Sequence, residues 1–335
     1  MEGGPIISVV IPVFNGAPII EDCLQSLLSQ EGRHIKEIIV VDNGSTDDTG
    51  EIIRRQDRVR YLYEERPGSS AARNRGAMEA SGDILAFVDA DCRAVPGWAG
   101  KALDVFRSRP DVNGLVGRCH GINSTLWAEF AQRSYEAFVR EIQTGEGRLL
   151  KIDSKNFFIR TTVFREIGGF DTGLGNSEDV DLGIRLYRAG HPIVYGQEVE
   201  IFHINPADLG KRIKTRREQG YYDFMIFRKY APSEGILYFP SFSRGYARCI
   251  FKTHRFRSRF LVRLLIHLAG AGIRGTSIML RALKAAGLGK CLYRLYRLLM
   301  DFTILQGKLY AYAVRAAYTT GEKLGMRNKF NRRIL

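Results

Sequence analysis

The run Ile84-Leu85-Ala86-Phe87-Val88 carries no polar side chain and stops abruptly at Asp89-Ala90-Asp91. An apolar strand of this kind has no solvent face, so it must be covered on both sides, as interior strands of parallel α/β sheets are. Its carboxyl end then opens where such sheets bind ligands. Two carboxylates one residue apart at that rim suit a hard divalent cation and, through it, a diphosphate. The same tripeptide also serves as a plain turn whose aspartates cap backbone amides. The rest of the chain has to decide.

Strand and helix signals alternate through the first two hundred residues. Ser8 to Phe14, Lys36 to Asp42 and Val59 to Tyr63 read as further strands. Helices are expected from Pro18 to Gln30, Thr46 to Arg55 and Ser69 to Ala80. Such alternation implies a Rossmann-like sheet flanked by helices. Beyond Asp91 the pattern becomes mixed, with Asn156 to Arg160 and Ile193 to His203 as strand candidates. No G-x-G-x-x-G follows the first strand and no G-x-x-x-x-G-K-[ST] occurs, which disfavours a dehydrogenase or a P-loop enzyme. A nucleotide here would be held by side chains and a cation.

Charge divides the chain in two. Residues 205–335 carry 27 Lys+Arg against 6 Asp+Glu, while residues 1–204 carry 23 against 30, within an overall net charge of +14. That asymmetry marks a compositional boundary near Asn205-Pro206 and points to a polyanionic partner. Five scattered cysteines without C-x-x-C spacing support neither a zinc site nor a disulfide framework. The start Met1-Glu2-Gly3-Gly4-Pro5 lacks the features of a signal peptide, and a reducing, cytoplasmic setting is expected.

Five segments then fall in order at strand ends: Val10-Ile11-Pro12-Val13-Phe14-Asn15, Val40-Val41-Asp42-Asn43-Gly44-Ser45-Thr46-Asp47, Gly68 to Gly76 with Arg73-Asn74, Asp89-Ala90-Asp91, and Gly168-Gly169-Phe170-Asp171 leading to Ser177-Glu178-Asp179-Val180-Asp181. Over roughly residues 6–230 this series resembles the family 2 glycosyltransferases, which have the GT-A fold and use nucleotide-sugar donors. The resemblance implies a catalytic domain over residues 1–230, followed by a basic amphipathic helical region over residues 231–335. It implies that Pro12, Val13 and Asn15 embrace the nucleobase. Asp42 would accept from a base or ribose group, its alternative being an Asx-turn or a cap of the next helix. Arg73 would bridge nucleobase and phosphate, and Asn74 either touches the ligand or caps locally. Asp89 and Ala90 would lie against the donor, with Asp91 and His203 holding Mn2+ or Mg2+. A lone His on an apolar strand is otherwise a core residue.

Asp179 matches the family's base position, with a dipole-complementing acid at a helix start as its plain alternative. Glu178 and Asp181 are expected to be structural. Arg217, beside Arg216 and Gln219, resembles a segment closing over the diphosphate. Together these imply an inverting, metal-dependent hexosyltransferase. It would move one sugar from a nucleoside diphosphate to a hydroxyl of a glycan or polyprenyl-linked acceptor. The competing readings are a membrane-associated scaffold with a degenerate transferase domain and a sugar-nucleotide pyrophosphorylase.

In the last eighty residues two long helices flank Gly287-Leu288-Gly289. Arg259, Arg263, His267, Arg274, Arg281 and Lys284 fall in an arc of about 100° on the first. Lys290, Arg294, Arg297, Asp301, Lys308 and Arg315 fall within about 60° on the second. A narrow basic stripe beside a broad apolar face suits a helix lying on an anionic membrane surface, here the inner face, or else a homodimer contact. No stretch of about 18 apolar residues exists to span a bilayer. Nucleic acid is not an expected partner, since no recognised motif for it occurs.

Overall fold

A computed structural model of the chain describes residues 4–142, 149, 151–230, 259–285 and 289–319. Packing divides the chain into two compact units, Met1–Asn205 and Pro206–Leu335.

The first unit is a mixed eight-stranded sheet of order β3-β2-β1-β4-β7-β6-β8-β5. Its strands are β1 (Ile7–Val13), β2 (Ile35–Asp42), β3 (Val59–Tyr63), β4 (Ile84–Val88), β5 (Cys92–Ala94), β6 (Gly114–Gly121), β7 (Asn156–Arg160) and β8 (Ile193–His203). The helices are α1 (Ile20–Leu28), α2 (Thr49–Arg54), α3 (Ser69–Glu79), α4 (Trp98–Ser108), α5 (Leu126–Ile142), α6 (Thr161–Glu166) and α7 (Glu178–Arg188). Strands β1 to β4 pair in parallel, whereas β7 runs antiparallel to both β4 and β6. The short β5 closes the far edge antiparallel to β8.

Alternation along each strand feeds two cores. Val9, Ile11, Ile38, Val40, Ile84, Ala86 and Val88 face one side, with Leu24 of α1 and Leu103 and Phe106 of α4. Val10, Ile39, Val41, Leu85 and Phe87 face the other, with Ala72 of α3, Phe164 of α6 and Leu182 and Leu186 of α7. This is the two-sided cover that the apolar β4 run requires, and it produces a GT-A-like three-layer body. All four parallel strands deliver their carboxyl ends to one rim, where Asn15, Asp42, Glu64 and Asp89 follow in turn.

The second unit is helical: α8 (Leu209–Tyr230), α9 (Arg259–Ala285) and α10 (Gly289–Thr319). Helix α8, placed with the catalytic residues on sequence grounds, packs within this unit against α10. Their backbones nearly touch: a Cβ on Gly220 would come within 2.1 Å of the Ile304 carbonyl oxygen, and one on Gly307 within 2.0 Å of that of Arg217. Among the described residues no helix is long and apolar enough to cross a membrane. The side chains of Arg259, Arg263, Arg281, Lys284, Lys290 and Arg315, and all of residues 231–258, lie outside the described residues.

Candidate active site

A cleft of about 380 Å³ opens at the carboxyl rim of the sheet, lined among others by Pro12, Val13, Asn43, Arg73, Asp89, Ala90 and Asp91. The apolar strand ends therefore form its floor and the turn residues its walls. Phe14, also at the lining, leaves 63% of its surface exposed, so an aromatic face stands open to solvent beside Pro12 and Val13.

Asn15 and Asp42 shape this cleft from behind. Asn15 adopts a left-handed backbone, φ 49°, and its Oδ1 accepts from the Thr46 amide at 2.8 Å, tying the β1 loop to the β2 loop. Asp42 is 4% exposed; Oδ1 accepts from the Ser45 amide at 2.9 Å and Oδ2 from the Tyr61 hydroxyl at 3.0 Å. Both Asp42 oxygens are thus held by its own loop and by β3, and its neighbour Asn43 is the residue that reaches the lining. Asn74 is also spent internally: Nδ2 donates to the Phe170 carbonyl at 2.8 Å, while Oδ1 accepts the Phe170 amide at 2.9 Å.

Arg73 sits at the junction. Helix α3 turns small residues and one arginine inward, burying Ser70, Ala71, Ala72, Arg73, Gly76 and Ala77. The guanidinium donates from Nη2 to Asp89 Oδ1 and from Nη1 to Glu178 Oε1, both at 2.7 Å. Ser69 Oγ donates to the same Glu178 oxygen at 2.9 Å. Burial alone would lower the Arg73 pKa, but the Asp89 and Glu178 charges hold it above the ordinary value. This bridge fixes the end of β4 to the start of α7. Phe170 stacks beneath it, its ring 5.5 Å from the guanidinium and 5.2 Å from the Phe87 ring.

Glycines and an ion pair hold that platform. Gly168 and Gly169 both have positive φ, 80° and 67°, which a side chain would strain. Arg185 pairs with the fully buried Asp181 at 2.8 Å and donates to the Ile167 and Gly169 carbonyls, each at 2.7 Å. Asp181 therefore anchors the turn to α7.

Asp179, half-buried, follows Glu178 directly. Burial first, then the charges of Glu178 and Asp153, push its carboxyl up to about 8, although the Val180 amide donates to Oδ1 at 2.8 Å. A carboxyl so poised holds or accepts a proton near neutral pH.

Asp91 faces His203 across the β5–β8 pairing, with Oδ2 3.4 Å from Nε2. On the other side of the ring, Nδ1 lies 3.1 Å from Asn205 Oδ1, whose own Nδ2 donates to Gln132. With Nδ1 donating to that carbonyl, Nε2 presents a lone pair toward a carboxylate oxygen. Two acceptors so placed need a proton or a cation between them. When a proton takes that place, burial still tends to raise Asp91, but the hydrogen bond and charge of the protonated ring outweigh it and keep the carboxyl below its ordinary value. One carboxylate and one imidazole fit a borderline divalent ion such as Mn2+. Among the described residues no group of three or more His, Cys, Asp or Glu converges on one point.

Residues 8–168 match Glycosyl transferase family 2. Glycosyltransferase AglE of Haloferax volcanii is 34% identical over 202 residues, which are 58% of this chain and 66% of that protein. Residues 8–168 are a family 2 glycosyltransferase domain. Validoxylamine A glucosyltransferase of Streptomyces hygroscopicus subsp. jinggangensis is 29% identical over 58% of this chain and 54% of its own length, so the match spans little more than half of that relative. The solved mannosyltransferase PcManGT from Pyrobaculum calidifontis, in complex with GDP-Man and Mn2+, shares the fold with a TM-score of 0.59 at 20% identity, covering 95% of this chain and 88% of that one. S. aureus TarS 1-349 does so with a TM-score of 0.52 at 18% identity, over 92% and 91% of the two chains.

Several residues of this glycosyltransferase site escaped sequence reasoning. Glu178 was assigned to the helix dipole, but it is a partner of Arg73. A usable signal was the arginine on the small-residue face of α3, because a buried guanidinium requires carboxylates. Asp153 and Lys155 were also missed. Their ion pair precedes β7, and the Lys155 ammonium lies 4.5 Å from the Tyr135 ring. Arg217 lies on α8, in the second unit.

Proposed function

We propose that this glycosyltransferase moves a single sugar, with inversion, from a nucleoside-diphosphate donor to a hydroxyl of a glycan or lipid-linked acceptor. The observation that carries the reading is the Asp179 carboxyl, raised to about 8 and one residue from the Arg73 bridge. As general base, Asp179 takes the proton of the acceptor hydroxyl as its oxygen attacks the anomeric carbon from the side opposite the diphosphate. Arg73 keeps Asp89 and Glu178 in fixed geometry, so the donor end and the base end of the site are held to one frame. Pro12, Val13, Asn43 and the open face of Phe14 receive the nucleoside, with Asp42 and Asn15 holding their loops. Asp91 and His203 would hold Mn2+ or Mg2+, which when bound stabilises charge on the departing nucleoside diphosphate.

The chain would act at the cytoplasmic face of an anionic membrane, attached by its basic helices. Leu268, Ile278 and Met279 of α9 are 57%, 69% and 54% exposed, an apolar surface beside the basic sequence, and this supports attachment. A panel of nucleotide sugars with Mn2+ and simple acceptors, followed by NMR of the product anomer, tests the chemistry. Inverted anomeric configuration is expected; retention would refute the role of Asp179. Flotation on phosphatidylglycerol vesicles, compared with neutral vesicles, tests attachment; equal or absent flotation would refute it.

A further inference from the structure

The second unit contains a charge imbalance that the transfer reaction does not use. Arg212 and Arg216 lie one turn apart on α8 and so share a face, where like charges repel. Arg212 Nε donates to the hydroxyl of the fully buried Tyr296 of α10 at 3.3 Å. Arg216 Nη1 donates to Gln219 Oε1 at 2.5 Å, and its enclosed Nε has no partner. Both observed acceptors are neutral. Among the described residues no carboxylate lies within ion-pair distance of either guanidinium. Burial first, then the Arg212 charge, pull Arg216 down to about 10, and the more weakly acting Tyr296, Asp223 and Asp301 do not reverse this.

An enclosed arginine whose direct partners are neutral, with the Asp223 and Asp301 carboxylates acting only from beyond ion-pair distance, is costly. The fork of a guanidinium matches phosphate oxygens in pairs, and two guanidinium groups balance a dianion. We propose that Arg212 and Arg216 form a binding site for a phosphate or diphosphate ester. Two sources share that chemistry: the diphosphate of an isoprenoid-linked acceptor and the headgroup of an anionic phospholipid. The site needs neither Asp179 nor the Asp91–His203 pair, so it stands or falls apart from the donor chemistry.

Calorimetric titration of the full chain with inorganic pyrophosphate and with farnesyl diphosphate, in EDTA to silence any metal-dependent donor site, is the test. Saturable binding is expected, weakened by about tenfold or more in Arg216→Gln and unchanged in Arg58→Gln, an exposed arginine of the first unit. Arg216→Lys, which keeps the charge but loses the fork, should fall between. The ligand-free melting temperature of Arg216→Gln should equal or exceed that of the wild type, because an uncompensated charge is removed. Phosphatidylglycerol vesicles separate the sources. Arg216-dependent flotation that competes with pyrophosphate assigns the site to headgroups, and flotation indifferent to Arg216 assigns it to the isoprenoid diphosphate. No saturable binding, equal affinity in wild type and Arg216→Gln, or a lowered melting temperature in that variant would each overturn the proposal.

Discussion

Replacing Asp179 by Asn should abolish transfer and at the same time stabilise the protein, by an amount that grows with pH. In the folded chain burial, Glu178 and Asp153 raise this carboxyl from 3.8 to about 8. In the unfolded chain it ionises at its ordinary value. Between those two values the folded state therefore retains a proton that the unfolded state has released. Stability is undiminished below the lower value and falls as pH rises through the window to the upper one. A group that is fully protonated in one state and ionised in the other gives a slope of about 1.4 kcal/mol per pH unit. Asp179 is only half-buried, so roughly half that slope is expected. Over three pH units the variant should gain about 2 kcal/mol relative to the wild type. Urea unfolding of both proteins in EDTA, from about pH 5 to about pH 8, measures it. Parallel stability profiles, or a wild type that gains on the variant as pH rises, would refute the assignment of a raised pKa to Asp179.

Glu178→Gln removes a like charge and frees Arg73 to act on Asp179. The rising limb of the kcat/KM profile should then move toward acid by about one pH unit; an unmoved limb would separate the two carboxyls. Arg73→Met strands two carboxylates at the bridge. Because Asp89 is a third exposed, the loss is expected near the lower end for a broken buried pair, about 3 kcal/mol by denaturant unfolding; a change under about 1 kcal/mol would mean the bridge contributes little. Asn205→Ala withdraws the acceptor that orients His203, and the Mn2+ concentration for half-maximal activity should rise by about tenfold or more, with no change if His203 is not a ligand.

The strands were legible where apolar, β-branched and aromatic residues predominate. Ile84–Val88, Asn156–Arg160 and Ile193–His203 declare themselves by composition, and their ends locate Asp89, Asp91 and His203. Strand β6 was not legible, because Gly114, Gly117 and Gly121 and the outward Arg118 break both alternation and apolar continuity. Residue type and position in the chain made Arg73 and Asp179 candidates, but only the fold could reveal their coupling. The Arg73–Glu178 contact spans 105 residues, and nothing local to either residue specifies it. Asn74 is the converse. Its place beside Arg73 invited a ligand role, whereas a partner 96 residues away claims both ends of its amide. Helix α8 was assigned by chain order, and the close approach at Gly220 and Gly307, which seats it on α10, has no signature within α8 itself.

The measurement that bears most directly on the account is calorimetric binding of nucleoside-diphosphate sugars to the wild type, Asp91→Asn and Asp179→Asn, each with Mn2+ and in EDTA. Wild type and Asp179→Asn should bind a donor only when Mn2+ is present, and Asp91→Asn should bind poorly in either condition. Equal donor affinity in EDTA, or undiminished Mn2+-dependent binding by Asp91→Asn, would contradict the claim that this rim holds its donor through a cation.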